Sequence, residues 1–288
     1  MDQYVILTDS ACDISKELLD SWNVGFLSLT FKFTDSDIEY QNSDMPVDKF
    51  YAEMRAGRVA KTAAVNVDAF ATLFEDEIKR GNDILYIGFS SGLSSTYNAA
   101  RMAGEQLKDK YPERRIITID SLAASAGEGL LVYLTVQKKN EGASLEEAAE
   151  YAKGLIPHIC HWFTVDDLVY LKRGGRVSAT AAFFGNALGI KPVMHVDDEG
   201  HLVPVSKVRG RRTSISTMAD MYTELAEDVS NGCVFISHGD CISDAELLAK
   251  MLKDKHGVEV KIITSVGTVI GAHSGPGTLA LFFVGKHK

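Results

Sequence analysis

Serine and glycine residues crowd one short stretch of the chain, the segment "FSSGLSSTYNAA" at residues 89–100. It follows the apolar run "DILYIGF", which is typical of a buried strand, and it precedes a helical pattern. Ser94 and Ser95 therefore stand where a helix offers free backbone N–H groups to an anion. Two interpretations remain open: the serines cap the helix, or they form a cradle for a carboxylate or phosphate. The chain has no G-x-x-x-x-G-K-[ST] pattern, which disfavours a nucleotide P-loop.

A histidine among glycines is the second candidate for chemistry. His273 lies in "GTVIGAHSGPGTLALFF", where small residues leave it little side-chain cover. This setting suits a ligand contact, although a structural histidine is the other interpretation. Together, Ser94 and His273 raise the alternative of a serine esterase or thioesterase. The G-x-S-x-G pattern of such hydrolases is absent, and no third member of a triad is indicated by spacing.

Two basic stretches, "LKRGGRVS" and "KVRGRR", stand out because the chain as a whole is acidic, with a net charge of -9. They form either a solvated face or a docking surface for an acidic partner or a phosphorylated product. The overall charge argues against a general nucleic-acid binder, which needs a basic face.

The composition is that of a globular protein large enough for two domains: 288 residues, 45% apolar and 24% charged. The N-terminus lacks a signal-peptide pattern, and no apolar run approaches the roughly 18 residues of a membrane helix. We therefore expect a cytoplasmic protein with no stable membrane insertion. No metal site is predicted, and reduced thiols are expected, because the cysteines are scattered without a CxxC pair. They are Cys12, Cys160, Cys233 and Cys241.

Through the first half of the chain, strand-like runs alternate with helical patterns, which predicts βαβ units and a parallel sheet. Residues 24–33 are expected to form one strand, and Asp13 is expected to cap the helix that follows it. Polar clusters end three of the strands, so they should meet at one edge of the sheet, where ligands of such folds bind. These clusters are residues 8–10, 90–95 and 120–121.

From about residue 158 the pattern becomes mixed. Residues 190–208 predict a hairpin that turns at residues 198–200. Ser144 with Glu147, and Ser243 with Glu246, have the spacing of capping boxes. The predicted fold class is α/β in two domains. Residues 1–156 form a Rossmann-like parallel sheet with helices on both faces, and residues 157–288 form a mixed-sheet α/β domain.

Six motifs in this order resemble the DegV family, the fatty-acid-binding proteins of bacteria. The resemblance implies two α/β domains with a long-chain fatty acid between them and no cofactor. It also implies a binding protein rather than an enzyme, which presents the fatty acid carboxylate to a separate ATP-dependent fatty acid kinase for acyl-phosphate formation. A non-lipid regulatory protein on the same scaffold remains an alternative. The motifs are "ILTDSACDI", "FSSGLSSTYNAA", "TIDSLAASAGEG", "LVYLKRGGRVS", "GIKPVMHVDDEGHLVPVSKVRGRR" and "GAHSGPGTLALFF".

The resemblance also implies roles for particular residues. The carboxylate contacts of the family fall on Thr62, Ser94 and His273, and Ser95 adds a hydroxyl where the family more often has glycine. Arg173 and Arg209 match the region implicated in docking the kinase. Aromatic candidates for contact with the acyl tail are Phe31, Phe33, Phe163, Phe183 and Phe184.

Overall fold

The computed structural model describes residues 3–177 and 189–288. Its strands are β1 (Tyr4–Asp9), β2 (Val24–Leu27), β3 (Thr30–Phe33), β4 (Glu39–Gln41), β5 (Ala60–Ala63), β6 (Asp83–Gly88), β7 (Ile116–Asp120), β8 (Ile159–Thr164), β9 (Ile190–Val196), β10 (Leu202–Arg209), β11 (Val234–His238), β12 (Val260–Ser265) and β13 (Leu279–Val284). Its α-helices are α1 (Lys16–Ser21), α2 (Val47–Arg55), α3 (Val67–Lys79), α4 (Thr96–Lys110), α5 (Ala126–Asn140), α6 (Leu145–Leu155), α7 (Val169–Arg173), α8 (Arg211–Leu225), α9 (Ile242–His256) and α10 (Thr268–Ser274).

The first half of the chain forms a parallel sheet in the order β2-β1-β6-β7. Strand β6 is buried along its whole length, as expected for a strand covered on both faces. Helices α3 and α4 pack on this sheet, and α5 and α6 pack on it as well, with their side chains in a separate core cluster. The α/β class and the parallel sheet predicted from the alternating pattern are confirmed.

Helix α5 lies between the parallel sheet and the mixed sheet and contacts strands of both. It is apolar on most sides, which is typical of a fully buried helix. Its glycines allow this close packing. A Cβ on Gly127 would lie 2.1 Å from Nε2 of His161 in β8, and a Cβ on Gly129 would lie 2.5 Å from Ile14. The motif "SAGEG" thus brings the two sheets together.

The second half forms a mixed sheet in the order β10-β9-β8-β13-β11-β12, in which only β11 and β12 pair in parallel among the described residues. The predicted hairpin is confirmed as antiparallel β9 and β10. The chain enters this sheet through a 3-10 turn at Ile156–His158. The proposed domain boundary at residues 156 and 157 falls in this turn and stays a prediction.

The single strand expected at residues 24–33 is wrong. The chain breaks at Ser28 and Leu29, because the backbone N–H of Leu29 donates to Oγ of Ser10 at 3.0 Å and the side chain of Leu29 is buried. Strand β2 joins the parallel sheet, whereas β3 joins a small antiparallel sheet in the order β4-β3-β5. With α2, this small sheet packs against α10.

The expected cap at Asp13 is also wrong. Ser15 caps α1, and Asp13 is buried with a φ of 52°. Its carboxylate accepts hydrogen bonds from the backbone N–H of Gly267 at 3.0 Å and from Oγ of Ser125 at 2.5 Å. Asp13 therefore ties the end of β1 to the segment that leads into α10. Among the described helices, none is long and apolar enough to cross a membrane.

Candidate functional site

A cavity of about 270 Å³ lies between the parallel sheet and the mixed sheet. Its lining comes from both halves of the chain and is mainly apolar. Four polar residues singled out in the sequence, Thr62, Ser94, Ser95 and His273, all border this cavity. Apolar lining residues include Leu93, Phe163, Leu171, Val196, Val269 and Phe282.

Thr62 and His273 are in direct contact, with 2.8 Å between Oγ1 and Nε2. Strand β5 places Thr62 on the same face as Ala60, since residues two apart in a strand share a face. Ala60 packs in one apolar cluster with Ala272, the neighbour of His273 in α10. The small antiparallel sheet thus brings the threonine hydroxyl to the imidazole.

His273 is neutral at neutral pH because burial, with a contribution from the Arg176 guanidinium, lowers its pKa to about 4. Its Nδ1 is buried without a hydrogen-bond partner among the described residues. The ring packs against Gly174, where an added Cβ would lie 2.1 Å from Nδ1. The glycines beside His273 leave room for tyrosines: Cβ positions at Gly271 and Gly275 would meet the rings of Tyr51 and Tyr170, respectively.

Arg176 is a cation in the cavity wall that the sequence interpretation left in the basic stretch without a role. Its Nε donates to the carbonyl oxygen of Leu93 at 3.2 Å, and its NH1 donates to that of Gly174 at 2.5 Å. It therefore connects the segment that carries Ser94 with the segment that holds His273. Burial lowers its pKa, but a guanidinium remains charged at neutral pH.

The helix-capping interpretation of the serines is confirmed for Ser94 but not for Ser95, and the carboxylate cradle stays a prediction. Oγ of Ser94 accepts the backbone N–H of Thr96 at 3.2 Å and lies 2.9 Å from Oγ1 of Thr96, so Ser94 supports the start of α4 while it borders the cavity. Ser95 is the N-cap residue, and its side chain makes no capping bond.

The other polar residues at this edge of the parallel sheet form hydrogen bonds with other parts of the protein rather than facing the cavity. Oγ of Ser90 donates to the carbonyl oxygen of Gly200 at 2.9 Å, in the turn between β9 and β10. The backbone N–H of Ser91 donates to Asp120, and that of Phe89 donates to Asp9. The three clusters converge as predicted, and the hairpin of the mixed sheet docks on them.

The remaining predicted residues fall in different places. Arg173 and Arg209 are exposed on the surface and do not border the cavity. Phe163 lines it, whereas Phe31 and Phe33 are buried in the core of the small sheet and α2. The other two aromatic candidates, Phe183 and Phe184, lie outside the described residues.

The hydrogen bonds do not form a hydrolase pair. Nε2 of His273 is bonded to Thr62, and the hydroxyl of Ser94 is bonded to Thr96. A nucleophile and its base need a mutual hydrogen bond, so this arrangement gives the esterase alternative no support. Within residues 3–177 and 189–288, no group of three or more His, Cys, Asp or Glu side chains could hold a metal ion.

Comparison with known proteins gives consistent matches along the chain. A family model described as that of DegV family uncharacterised proteins matches residues 3–286. A DegV domain-containing protein of Clostridium perfringens is 40% identical over 289 residues, covering 100% of this chain and 99% of the relative. A stearic acid-binding protein from Eubacterium ventriosum has a TM-score of 0.89 at 27% identity, with 99% of each chain covered. DegV from Bacillus subtilis, a fatty acid binding protein, has a TM-score of 0.86 at 26% identity, with 99% of this chain and 100% of that one covered.

Proposed function

The chain belongs to the DegV family, and from this premise we propose that it binds a long-chain fatty acid in the cavity between its two sheets. The carboxylate is held by Thr62, Ser94, Ser95 and His273. The observation that carries the proposal is that these side chains, which come from separate elements, border one mainly apolar cavity, where Thr62 and His273 are in direct contact. Fatty acid binding by the similar proteins from Eubacterium ventriosum and Bacillus subtilis supports it.

The acyl tail supplies most of the binding free energy. About 14 methylenes at about 0.8 kcal/mol each contribute roughly 11 kcal/mol on burial. Association and ordering cost at least about 4 kcal/mol, which leaves enough for micromolar or tighter binding. The cavity volume is close to the lower end of the roughly 300–1,000 Å³ of small-ligand sites. The head-group contacts therefore serve mainly to orient the carboxylate and to satisfy it.

The head cluster can satisfy a carboxylate with hydrogen bonds and one positive charge. Thr62 and Ser94 can each donate one hydroxyl proton, and Arg176 supplies the guanidinium. A bound carboxylate beside His273 would raise the imidazole pKa above the value of about 4 that burial gives it. Binding of the anion is therefore coupled to uptake of a proton by His273 as the pH falls.

We propose that the protein presents the bound carboxylate to a separate ATP-dependent fatty acid kinase, which forms the acyl phosphate. Arg173 and Arg209 are the docking residues. Helix α7 suits this role because it carries Leu171 in the cavity wall and the exposed Arg173 on its outer side. Arg173 lies over the ring of Tyr170, with 5.7 Å from Cζ to the ring centroid.

The proposal includes a cytoplasmic location, since the partner uses ATP, and no cofactor other than the fatty acid as ligand. It includes neither nucleic-acid binding nor catalysis by this chain. It also treats residues 1–156 and 157–288 as the two domains that enclose the ligand.

Titration of the delipidated protein with palmitate and with hexadecanol tests the binding proposal. We expect one palmitate site per chain. Thr62→Val keeps the shape of the side chain and removes its hydroxyl, so it should weaken palmitate binding about fivefold and leave hexadecanol binding unchanged. Thr72→Val is the matched control on the exposed face of α3. A wild-type protein that takes up neither ligand contradicts the proposal.

Acyl-phosphate formation with a bacterial fatty acid kinase tests the docking proposal. Arg173→Glu and Arg209→Glu should slow phosphorylation without changing the Kd for palmitate, because both side chains lie outside the cavity. Arg101→Glu, an exposed position on α4, is the control. Equal rates for all three variants and the wild type would remove the docking role from these arginines.

A further inference from the structure

A pair of serines places polar atoms in a part of the cavity wall that the carboxylate cluster does not use. Ser125 immediately precedes α5 and Ser237 lies in β11, and both border the cavity. Two other polar residues in the wall, Thr278 and His161, already have hydrogen-bond partners. Thr278 donates to the carbonyl oxygen of Gly275 at 2.8 Å. His161 has Nδ1 2.9 Å from the carbonyl oxygen of Ile159 and Nε2 3.4 Å from the backbone N of Ala124.

The strand register gives the position of this pair relative to Thr278 and Phe282. Thr278, Ala280 and Phe282 are spaced two residues apart, so they share one face of the strand, and all three border the cavity. Thr278 follows four residues after Ser274, the last residue of α10, which carries His273. Ser237 pairs with Ala280. At about 3.4 Å per residue, the serine pair lies roughly 7 Å beyond Thr278 and about as far before Phe282.

The hydrogen bonds of the pair leave acceptors unused. With Asp13 as a carboxylate, the single proton of the Ser125 hydroxyl is donated to Oδ2 of Asp13. Ser237, whose Oγ lies 3.0 Å from that of Ser125, must then be the donor between the two serines. A hydroxyl has two acceptor lone pairs. One remains on Ser125 and two remain on Ser237, counting the hydrogen bonds to described residues. The wall therefore suits a ligand group that donates a proton.

The backbone at Ser125 is held in an unusual conformation, with φ of 54° and ψ of -146°. Such values are largely restricted to glycine, and in other residues they are associated with functional sites. Glycine would relieve the strain but would remove the hydroxyl. The chain thus keeps a strained serine at the point where its side chain meets both the cavity and Asp13.

We propose that the ligand of this cavity is a fatty acid with a hydroxyl group along its chain, and that this hydroxyl donates to the oxygens of Ser125 and Ser237. The inference rests on the proposed fatty acid binding and adds the substrate class. A plain alkyl tail would leave these acceptors facing methylene groups, whereas a chain hydroxyl at the matching carbon satisfies them.

A series of hydroxystearic acids, with the hydroxyl moved along the chain, tests the inference by competition against a bound fluorescent fatty acid. The pH is kept above the pKa of Asp13, which burial raises to about 7. For the wild type, one positional isomer should bind about fivefold more tightly than the other isomers. This comparison needs no variant, because all isomers have the same composition.

Ser125→Ala and Ser237→Ala identify the acceptors. At least one of them should make the series flat when each isomer is compared with stearic acid in the same variant, and measurable stearic acid binding shows that the variant folds. Ser214→Ala removes a buried hydroxyl from α8, away from the cavity, and should keep the preference. A flat series in the wild type, or a preference that survives in both variants, overturns the inference and leaves fatty acid binding intact. Failure to bind stearic acid as well would overturn both proposals.

Discussion

At the residue scale, the position of His273 depends on a neighbour without a side chain. Gly174 has an ordinary helical φ of -73°, so its conformation does not require glycine. The available space does require glycine, because Nδ1 of His273 occupies the volume that a Cβ would take. The "RGG" part of the basic motif therefore shapes the cavity, and the exposed Arg173 beside it faces outward.

Gly174→Ala should displace the imidazole and break its hydrogen bond to Thr62. We expect a loss of stability of about 1–3 kcal/mol, as for other overpacked sites, together with weaker palmitate binding. Urea denaturation and calorimetric titration measure the two effects. Gly154→Ala is the control, since nothing lies within 4 Å of its added Cβ. Equal behaviour of the two variants would show that the contact with His273 is not needed.

The residues around the candidate carboxylate site could be predicted only in part. Family motifs pointed to Thr62, Ser94, Ser95 and His273, and all four border one cavity. Arg176 was missed because it has the same side chain as Arg173 and lies in the same motif. Only the path of the chain after α7 places Arg176 in the cavity wall and leaves Arg173 outside it. Ser125 was missed although it lies in the quoted motif "TIDSLAASAGEG", because the motif does not show which of its serines faces the cavity, and Ser237 was missed because a single serine in an apolar run carries no such signal.

At the scale of elements, the hairpin of β9 and β10 holds the two sheets together at the edge where a parallel sheet usually binds its ligand. Its turn inserts Gly200 beside Ser90, and a Cβ there would lie 2.2 Å from Oγ of Ser90. The cavity instead lies beside this docking point, where Val196 and Leu202 of the same hairpin form part of its wall.

Gly200→Ala tests this docking against a matched glycine. Gly200 and Gly257 both have positive φ, 79° and 74°, so alanine introduces similar backbone strain at each. Only Gly200 has close neighbours. Gly200→Ala should therefore destabilise the protein by about 1–3 kcal/mol more than Gly257→Ala does, as read from urea midpoints. Similar midpoints would mean that the hairpin can leave Ser90 at little cost.

Most elements followed from periodicity, and the errors have local causes. The βαβ pattern, the hairpin and the capping box at Ser144 with Glu147 are confirmed. The box expected at Ser243 with Glu246 is wrong: α9 already begins at Ile242, after Cys241, whose backbone N–H is bonded to Nδ1 of His238. The break between β2 and β3 depends on Ser10, which is distant in sequence, so an apolar run alone could not reveal it.

At the scale of the whole molecule, the region between the two sheets buries three carboxyl groups, Asp9, Asp13 and Glu128. Burial raises the pKa of each, to about 7 for Asp13 and well above the ordinary range for Glu128. Oε1 of Glu128 accepts the hydroxyl of Thr8 at 2.8 Å, while Oε2 has no hydrogen-bond partner among the described residues. A raised pKa means that the folded state holds protons that the unfolded state releases.

The contribution of these carboxyl groups to stability should therefore fall as the pH rises above their ordinary pKa of about 4, up to about pH 7 for Asp13, by up to about 1.4 kcal/mol per pH unit for each group that stays protonated only when folded. The Glu128→Gln variant has no ionisable side chain at this position. Its free energy of unfolding should therefore fall less over this range than that of the wild type. The exposed change Glu150→Gln should keep the wild-type slope. Buried His161 and His273, whose pKa values burial lowers to about 3 and about 4, give a slope of opposite sign in the wild type and in both variants. Urea denaturation at each pH gives the free energies of unfolding, and a Glu128→Gln variant with the wild-type slope would contradict the assignment.

The most direct test of fatty acid binding is a carbon NMR spectrum of palmitate labelled at the carboxyl carbon and added to the delipidated protein. We predict one slowly exchanging carboxyl resonance, distinct from free palmitate, that shifts in Thr62→Val and stays in place in Thr72→Val. A spectrum with only free palmitate, or a bound resonance that is identical in both variants, would contradict a carboxylate held beside Thr62 and His273.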